Sequence, residues 1–542
     1  MENKVSRVVS LMQQYLLSSI GLFALILVFV SCGSSTSVPI ATSVAYPAAT
    51  SIPDPTATPI VVRTTKPTST SVPTVAAKLV TPVPELTFSA EPTLSPERGT
   101  PLVKKKSPLT KIPTPPNAPT STTRRTNFPA LAKDPAPDFT SPTSEGTFSA
   151  MISSAFSKAL KSEFDVVSEK MGISAAVYKS GKSWSGAVGM AEEGKPMTPE
   201  TPLRLMSTSK TFLAALVLTQ IEEGLYSLDD RISTLLPNHS SYKSLDISVI
   251  PDLTIRELLT MRSGILGEHD DKGKMGTFKV MADPNWEPVD TLRLLTKPAR
   301  PPGAFKYSPI ANSYLLALVA EEMGDSDLLT LYRTKLDLSK YQIQIGLLPI
   351  TETPSSLAKA YAERSNYGGA TGFGDITEIE VYASYGLDYH QADGRISWAG
   401  AGIISTPTNI SRWVYELMSP NGSAVSSGVT TKLTESFVDE WITLTESRQK
   451  YGFHLTLTEN YLDDGRMILS YGHPGGGSGF ASSLLYVPSL DLGISIIANT
   501  EINNLLGSCG RTSKGGGPKL KYGLNPHSCI ALGFLEALIS DN

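Results

Sequence analysis

Cysteine is scarce in this sequence, with three among 542 residues, at positions 32, 509 and 529. Two thiols with only His527 nearby fall short of a four-ligand zinc set, and the six histidines show neither HExxH nor another paired spacing. No metal site is expected. Cys509 and Cys529 remain as one possible disulfide in an oxidising compartment, metal binding being the weaker alternative. An excess of basic charge is also missing. Lys and Arg total 47 against 51 Asp and Glu, giving a net charge of -4 and a pI near 6.0, which supplies no electrostatic reason for nucleic acid as a partner. The run Lys104-Lys105-Lys106 sits among Pro and Thr and reads as a solvated flexible stretch. There is no internal repeat, no Walker A and no G-x-S-x-G. "AGAGII" (399 to 404) stops short of a complete G-x-G-x-x-G, so phosphate and dinucleotide loops are excluded and no cofactor is called for.

Proline is abundant, and unevenly placed: about half of the 40 fall before residue 145. The chain begins with Lys4 and Arg7, then the apolar run "YLLSSIGLFALILVFV" (15 to 30), then "SCGSS". A basic head, an apolar stretch and small residues form the layout of an export signal. "FVSC" (29 to 32) resembles a bacterial lipobox, which implies lipidation of Cys32; an uncleaved signal anchor is the alternative. Both place the rest of the chain outside the cytoplasmic membrane. From Gly33 to Thr147 the composition is Pro, Thr, Ser, Ala and Val, too poor in large apolar side chains to offset chain entropy. This segment reads as a disordered stalk, so three regions are expected: 1-32 signal or anchor, 33-147 stalk, 148-542 folded domain.

The globular part opens with apolar residues at helical spacing in 148 to 171. "ISAAVYKSGKSWSGAVGMA" (173 to 191) reads as two strands joined at Ser180-Gly181-Lys182. An apolar helix follows Ser207 and ends at Gly224, and another starts at Thr254 as N-cap. Two strand-like runs occupy 482 to 500 and a terminal helix 529 to 540. Strands near both ends with helices between them predict one mixed sheet, completed by both termini and covered by helices.

Within "RLMSTSKTFLAALVLTQIEEG" (204 to 224), Ser207 and Lys210 stand three residues apart, on one helical face. A serine hydroxyl is nearly inert at neutral pH until a base takes its proton. At a helix start the serine also meets free N–H groups and the positive end of the macrodipole, which favour developing negative charge. The following helix is apolar on nearly every side, so Lys210 at its head is partly desolvated and its neutral, basic form becomes accessible. The pair reads as a nucleophile with its activator. S-x-x-K by itself is better read as a serine N-cap beside a surface lysine.

Six ordered blocks resolve that ambiguity. "TPETPLRLMSTSKTF" (198 to 212), "GLYSLDDRISTLLP" (224 to 237), "LTIRELLTMRSGI" (253 to 265), "PPGAFKYSPIANSYLLALVAEEMG" (301 to 324), "AGAGIISTPTNISRW" (399 to 413) and "YGHPGGGSGF" (471 to 480) resemble the serine β-lactamase and penicillin-binding protein superfamily. The branch they are most similar to holds class C β-lactamases, the Streptomyces-type DD-carboxypeptidase and related esterases. The resemblance spans about residues 165 to 500. It implies an α/β (α+β) fold of the β-lactamase/DD-peptidase type: a mixed, mainly antiparallel sheet flanked by helices, with an all-helical subdomain. It also implies Ser207 as nucleophile, Lys210 as its proton partner and Tyr307 as the second-motif tyrosine relaying protons. His473 would hold a substrate carboxylate or assist the relay. Gly475 would let substrate lie against the strand, and the N–H groups of Ser207 and Gly476 would form the oxyanion hole.

Two positions depart from the family pattern. The tyrosine motif, usually Tyr-x-Asn, is Tyr307-Ser308-Pro309, with Asn312 as the candidate to take over the lost amide, and Pro474 replaces a residue that often bears a hydroxyl. Both departures weaken β-lactam hydrolysis more than acyl transfer. The expectation is therefore an exported serine hydrolase forming an acyl-enzyme at Ser207, β-lactamase-like or DD-carboxypeptidase-like, held near peptidoglycan by a membrane anchor. Its partner is a small-molecule or cell-wall peptide substrate. The alternatives are an esterase or D-amino-acid amidase on the same scaffold, or a non-catalytic wall-binding module.

Overall fold

The computed structural model describes residues 136–144, 146–165, 172–267, 280, 283–350, 354–360, 389–437, 442–444, 447–500 and 526–540, with backbone alone at 389–393, 442–444 and 447. The expected signal with Cys32, the expected stalk up to residue 135 and Cys509 lie outside these residues. Cys529 is disulfide-bonded.

Period-two patterning builds the larger sheet. In β13 (Leu492–Ala498) Leu492, Ile494, Ile496 and Ala498 face one apolar cluster while Ile497 faces the other, so the strand is buried on both sides. Its neighbours are β2 (Gly172–Lys179) and β12 (Phe480–Val487), each antiparallel to it. The two ends of the folded chain thus meet in mid-sheet, as the placement of the strand-like runs predicts. Outward from β2 come β3 (Lys182–Glu192) and then β1 (Gly146–Thr147), with β4 (Lys195–Pro196) attached to β3. Outward from β12 come β11 (Met467–Gly477), β10 (Thr456–Tyr461), β9 (Ser447–Tyr451) and β8 (Ile442–Leu444). Only the β1–β3 pairing is parallel among these. The β2–β3 turn uses Ser180 at φ 41 and Gly181 at φ 82, the left-handed pair that a two-residue hairpin requires.

One face is covered by α1 (Ala150–Asp165) and α7 (Pro526–Ser540). Phe156, Trp184 and Phe534 close on one another there, with ring centroids 4.9 to 5.2 Å apart. Against the other face lie α6 (Pro407–Met418) and the helical region, whose centre is the pair α2 (Lys210–Glu222) and α4 (Pro309–Gly324). Both are apolar all round and almost fully buried, and Phe212 of α2 stacks on Trp413 of α6 at 4.0 Å. α3 (Ile255–Leu259) begins at Thr254, the N-cap that the sequence predicts, in a reciprocal capping box with Glu257.

Two expectations need correcting. The helical region also carries a small sheet of β5 (Leu203–Arg204), β7 (Ile403–Ser405) and β6 (Gly346–Leu347), so it is not all-helical. The folded part also starts before residue 148. Phe139 is buried, Thr140 N–H donates to Gln344 Oε1 at 2.6 Å, Thr143 N–H to Gln342 Oε1 at 3.0 Å, and Asn409 Nδ2 to Thr140 O at 3.0 Å. Side-chain amides from distant elements satisfy this proline-rich backbone, and composition alone cannot show such partners.

Candidate active site

The small sheet delivers the nucleophile candidate. β5 is held by β7, and Leu205 N–H continues the pairing to Ile403 O at 2.9 Å. The chain then turns sharply at Met206, a buried non-glycine residue at φ 51, and enters a 3₁₀ turn, Met206–Ser209, directly ahead of α2. A left-handed methionine costs on the order of 1–3 kcal/mol and persists where its surroundings enforce it. Here they do: Ser482 Oγ donates to Leu205 O at 2.6 Å, and Thr208 Oγ1 lies 3.1 Å from His473 O and 2.8 Å from Ser482 Oγ. Those contacts rivet the turn to β11 and β12.

Lys210 from the head of α2, and Tyr307 and His473 from far along the chain, gather around Ser207 on this turn. Lys210 Nζ lies 3.0 Å from Ser207 Oγ and donates to Gly400 O at 2.7 Å. Tyr307 donates its phenol to the same Ser207 oxygen at 3.0 Å, and its ring lies 5.5 Å from Lys210 Nζ. The His473 ring is 6.2 Å from that of Tyr307. Lys210 is wholly buried, and desolvation lowers its pKa from 10.5 to about 7, so a neutral amine exists at working pH. Burial first, and the charge of Lys210 second, lower His473 to about 3; its imidazole is uncharged at neutral pH. The Tyr307 ring is partly open to solvent while its hydroxyl turns inward, and desolvation pushes its pKa up, which keeps the phenol protonated. The arrangement offers a base and a proton donor to one hydroxyl.

Gly475 sits where β11 passes the turn. A Cβ there would lie 2.6 Å from Leu205 O and 2.9 Å from Ser207 N, so any side chain would push the strand away from the Ser207 amide. Gly476, next along the strand, is exposed. Gly475→Ala is expected to lower kcat/KM by about 10²-fold or more through misplacement of that amide. Steady-state kinetics beside a melting curve check it, since a fold defect would move both.

Asn312 does not take the place of the missing motif amide. It is fully buried on the second turn segment of α4, donating from Nδ2 to Ser308 O at 2.8 Å and contacting Met261 Sδ at 3.2 Å. Pro309 occupies the first turn of α4, where its absent N–H costs nothing, and this starts the helix directly after Ser308. Gly400 O supplies Lys210 with its second contact.

Two participants escape sequence reasoning. Gly400 acts through its carbonyl, which no residue type advertises. Tyr451, at the end of β9, is buried with its Oη 3.2 Å from His473 Nε2, and its ring packs on Phe305 at 5.2 Å and Tyr307 at 6.0 Å. Only the strand register reveals it: Tyr451 pairs with Thr456, which pairs with Gly472, one residue from His473.

Among solved structures, the D-amino acid amidase from Ochrobactrum anthropi SV3 is similar in fold, with 17% identity, a TM-score of 0.51, and 72% of this chain and 99% of that one covered. A penicillin-binding protein from Bacillus halodurans matches at 18% identity and a TM-score of 0.49, covering 71% of this chain and 99% of that one. A D-stereospecific amidohydrolase from Streptomyces sp. matches at 19% identity and 0.47, covering 64% and 94%. Residues 164–507, which hold every side chain converging on Ser207, match the beta-lactamase family model, and the chain belongs to that family of serine hydrolases.

Proposed function

We propose that this protein is a serine hydrolase that cleaves amides or esters through an acyl-enzyme on Ser207. The observation that carries the reading is the contact of Ser207 Oγ with both a desolvated lysine and a protonated phenol, each at 3.0 Å. The Ser207 proton passes to neutral Lys210 Nζ as Oγ bonds to the substrate carbonyl carbon. The electron pair displaced onto the carbonyl oxygen is held by the N–H groups of Ser207 and Gly476. As the C–N or C–O bond breaks, the leaving group takes a proton from the Lys210–Tyr307 side. Water then attacks the acyl-enzyme and gives a proton to the same groups, which return it to Ser207 Oγ as the acyl–Oγ bond breaks and the acid leaves. No step calls for a metal or an organic cofactor.

Substrate choice is tested with D-amino acid amides, the class named for the Ochrobactrum enzyme, beside p-nitrophenyl esters, D-Ala-D-Ala peptides and penicillins. Intact mass after treatment with a fluorophosphonate should show one adduct, located at Ser207 by peptide mapping. No adduct with any acylating probe would leave the wall-binding reading in place.

The same proposal includes export and anchoring. Its support is the basic head, the apolar run 15 to 30 and the "FVSC" tetrad. Among the described residues no helix is long and apolar enough to cross a membrane, and the apolar run lies outside them. In a bacterial host, Cys32→Ser is expected to abolish incorporation of an alkynyl fatty acid; labelling that survives this change would exclude Cys32 as the acylated residue.

A further inference from the structure

The Tyr451 phenol has one hydrogen-bond partner among the described residues, and that partner is the histidine beside the nucleophile. Both groups are buried, the phenol 4% exposed and the imidazole 3%. The other ring nitrogen, His473 Nδ1, faces Pro474 O at 2.5 Å. A carbonyl oxygen can only accept, so Nδ1 carries a hydrogen. A neutral imidazole has one N–H, which leaves Nε2 with a lone pair. A buried phenol needs an acceptor, and Nε2 is the one it touches. The reverse assignment would set two lone pairs against each other at Nδ1 and leave the phenol hydrogen without an acceptor. For the neutral ring, proton counting therefore gives one arrangement.

We infer that Tyr451 is a specificity-determining positioning residue: its hydroxyl donates to His473 Nε2, locks the Nδ1–H tautomer, and makes His473 an uncharged, internally satisfied group that cannot pair with a substrate carboxylate. A cation at this position could hold a free carboxylate beside the scissile bond. With both nitrogens engaged, His473 offers no N–H to a carboxylate, which would be desolvated here without that partner. Arg262 has its guanidinium over the Phe305 ring at 5.9 Å and donates to Thr260 O. Pro474 adds no hydroxyl to compensate. The site thus favours acyl compounds that are neutral beyond the scissile carbonyl: amides, esters and capped peptides. This inference rests on Ser207 being the acylated residue and deepens that reading.

The test uses the folded chain in two measurements. In protein carrying ¹⁵N-histidine, long-range ¹H–¹⁵N correlation, with His473 assigned by loss of its signals in His473→Gln, should show a protonated Nδ1 and an unprotonated Nε2 at pH 7. Tyr451→Phe should release that tautomer into a mixture. In competition with fluorophosphonate labelling, an acyl-D-Ala-D-Ala peptide capped as its C-terminal amide should protect at least about 30-fold better than the free acid, because leaving a buried charge unpaired is penalised at that scale. Tyr451→Phe should narrow the ratio to below about 10-fold. A wild-type His473 protonated at Nε2, or wild-type protection favouring the free acid, overturns the inference even if Tyr451→Phe does not fold. Absence of any Ser207 adduct is a separate result and overturns the acyl-enzyme reading instead, leaving the tautomer to the spectrum.

Discussion

Ser207→Ala is expected to reduce turnover by about 10⁴- to 10⁶-fold, the range seen when a serine nucleophile is removed from a hydrolase whose other groups act only through it. The size follows from the geometry. Lys210 and Tyr307 both address one oxygen, and without that oxygen neither has a proton transfer to perform. Other serines nearby cannot substitute: Ser209 Oγ accepts from Ile403 N–H at 3.2 Å in the core, and Ser482 Oγ is spent on Leu205 O. The residual rate should come from binding and the oxyanion donors alone. Ser207 is a partly open residue at the cleft, so truncating its hydroxyl should change stability by well under about 1 kcal/mol. Kinetics, adduct mass and a melting curve on the same preparation separate the outcomes. A wild-type rate in the alanine variant, or an adduct that persists on another residue, would falsify the assignment of the nucleophile.

Much of this arrangement could be read from the residues, for reasons that also mark where reading stops. Ser207 and Lys210 are legible because a three-residue spacing on a helix is a local fact and the apolar run behind them announces burial. β2, β3, β12 and β13 are legible because period-two patterning is local too. Tyr307 and His473 were found through ordered blocks, since nothing local connects residues 100 and 266 positions along the chain from Ser207. Asn312 was misjudged because spacing does not tell where a helix starts; Pro309 starts α4 at once, and Asn312 then points to Ser308 O. Tyr451 needed the register of two hairpins, and the left-handed Met206 needed the packing of β11 and β12 against the turn. The docking of residues 136–144 depends on Gln342, Gln344 and Asn409, three amides that mark nothing until the chain has folded.

Lys210→Met should move activity and stability in opposite directions. Loss of the base is expected to lower kcat/KM by about 10³- to 10⁴-fold. In the wild type, kcat/KM should rise with pH through about 7, as the ammonium gives up its proton and the amine becomes able to accept one from Ser207. The variant should show no such limb. Stability follows the opposite sign. A lysine whose folded pKa lies below its unfolded value penalises folding wherever the unfolded chain holds the extra proton. The penalty is full below about pH 7 and fades as pH rises toward 10.5. At pH 7 it is on the order of 4 kcal/mol, from which the lost contacts to Gly400 O and Ser207 Oγ subtract about 1 kcal/mol each. Methionine fills a similar volume without a charge, so the variant should unfold at higher denaturant at pH 7 by about 2 kcal/mol. The gain should shrink between pH 8 and pH 10 as the wild-type penalty disappears. Urea titrations of both proteins at pH 7 and pH 9.5 measure that difference. A destabilised variant whose deficit does not depend on pH would mean that the ammonium is well solvated, and the amine would then not be available as the base at neutral pH.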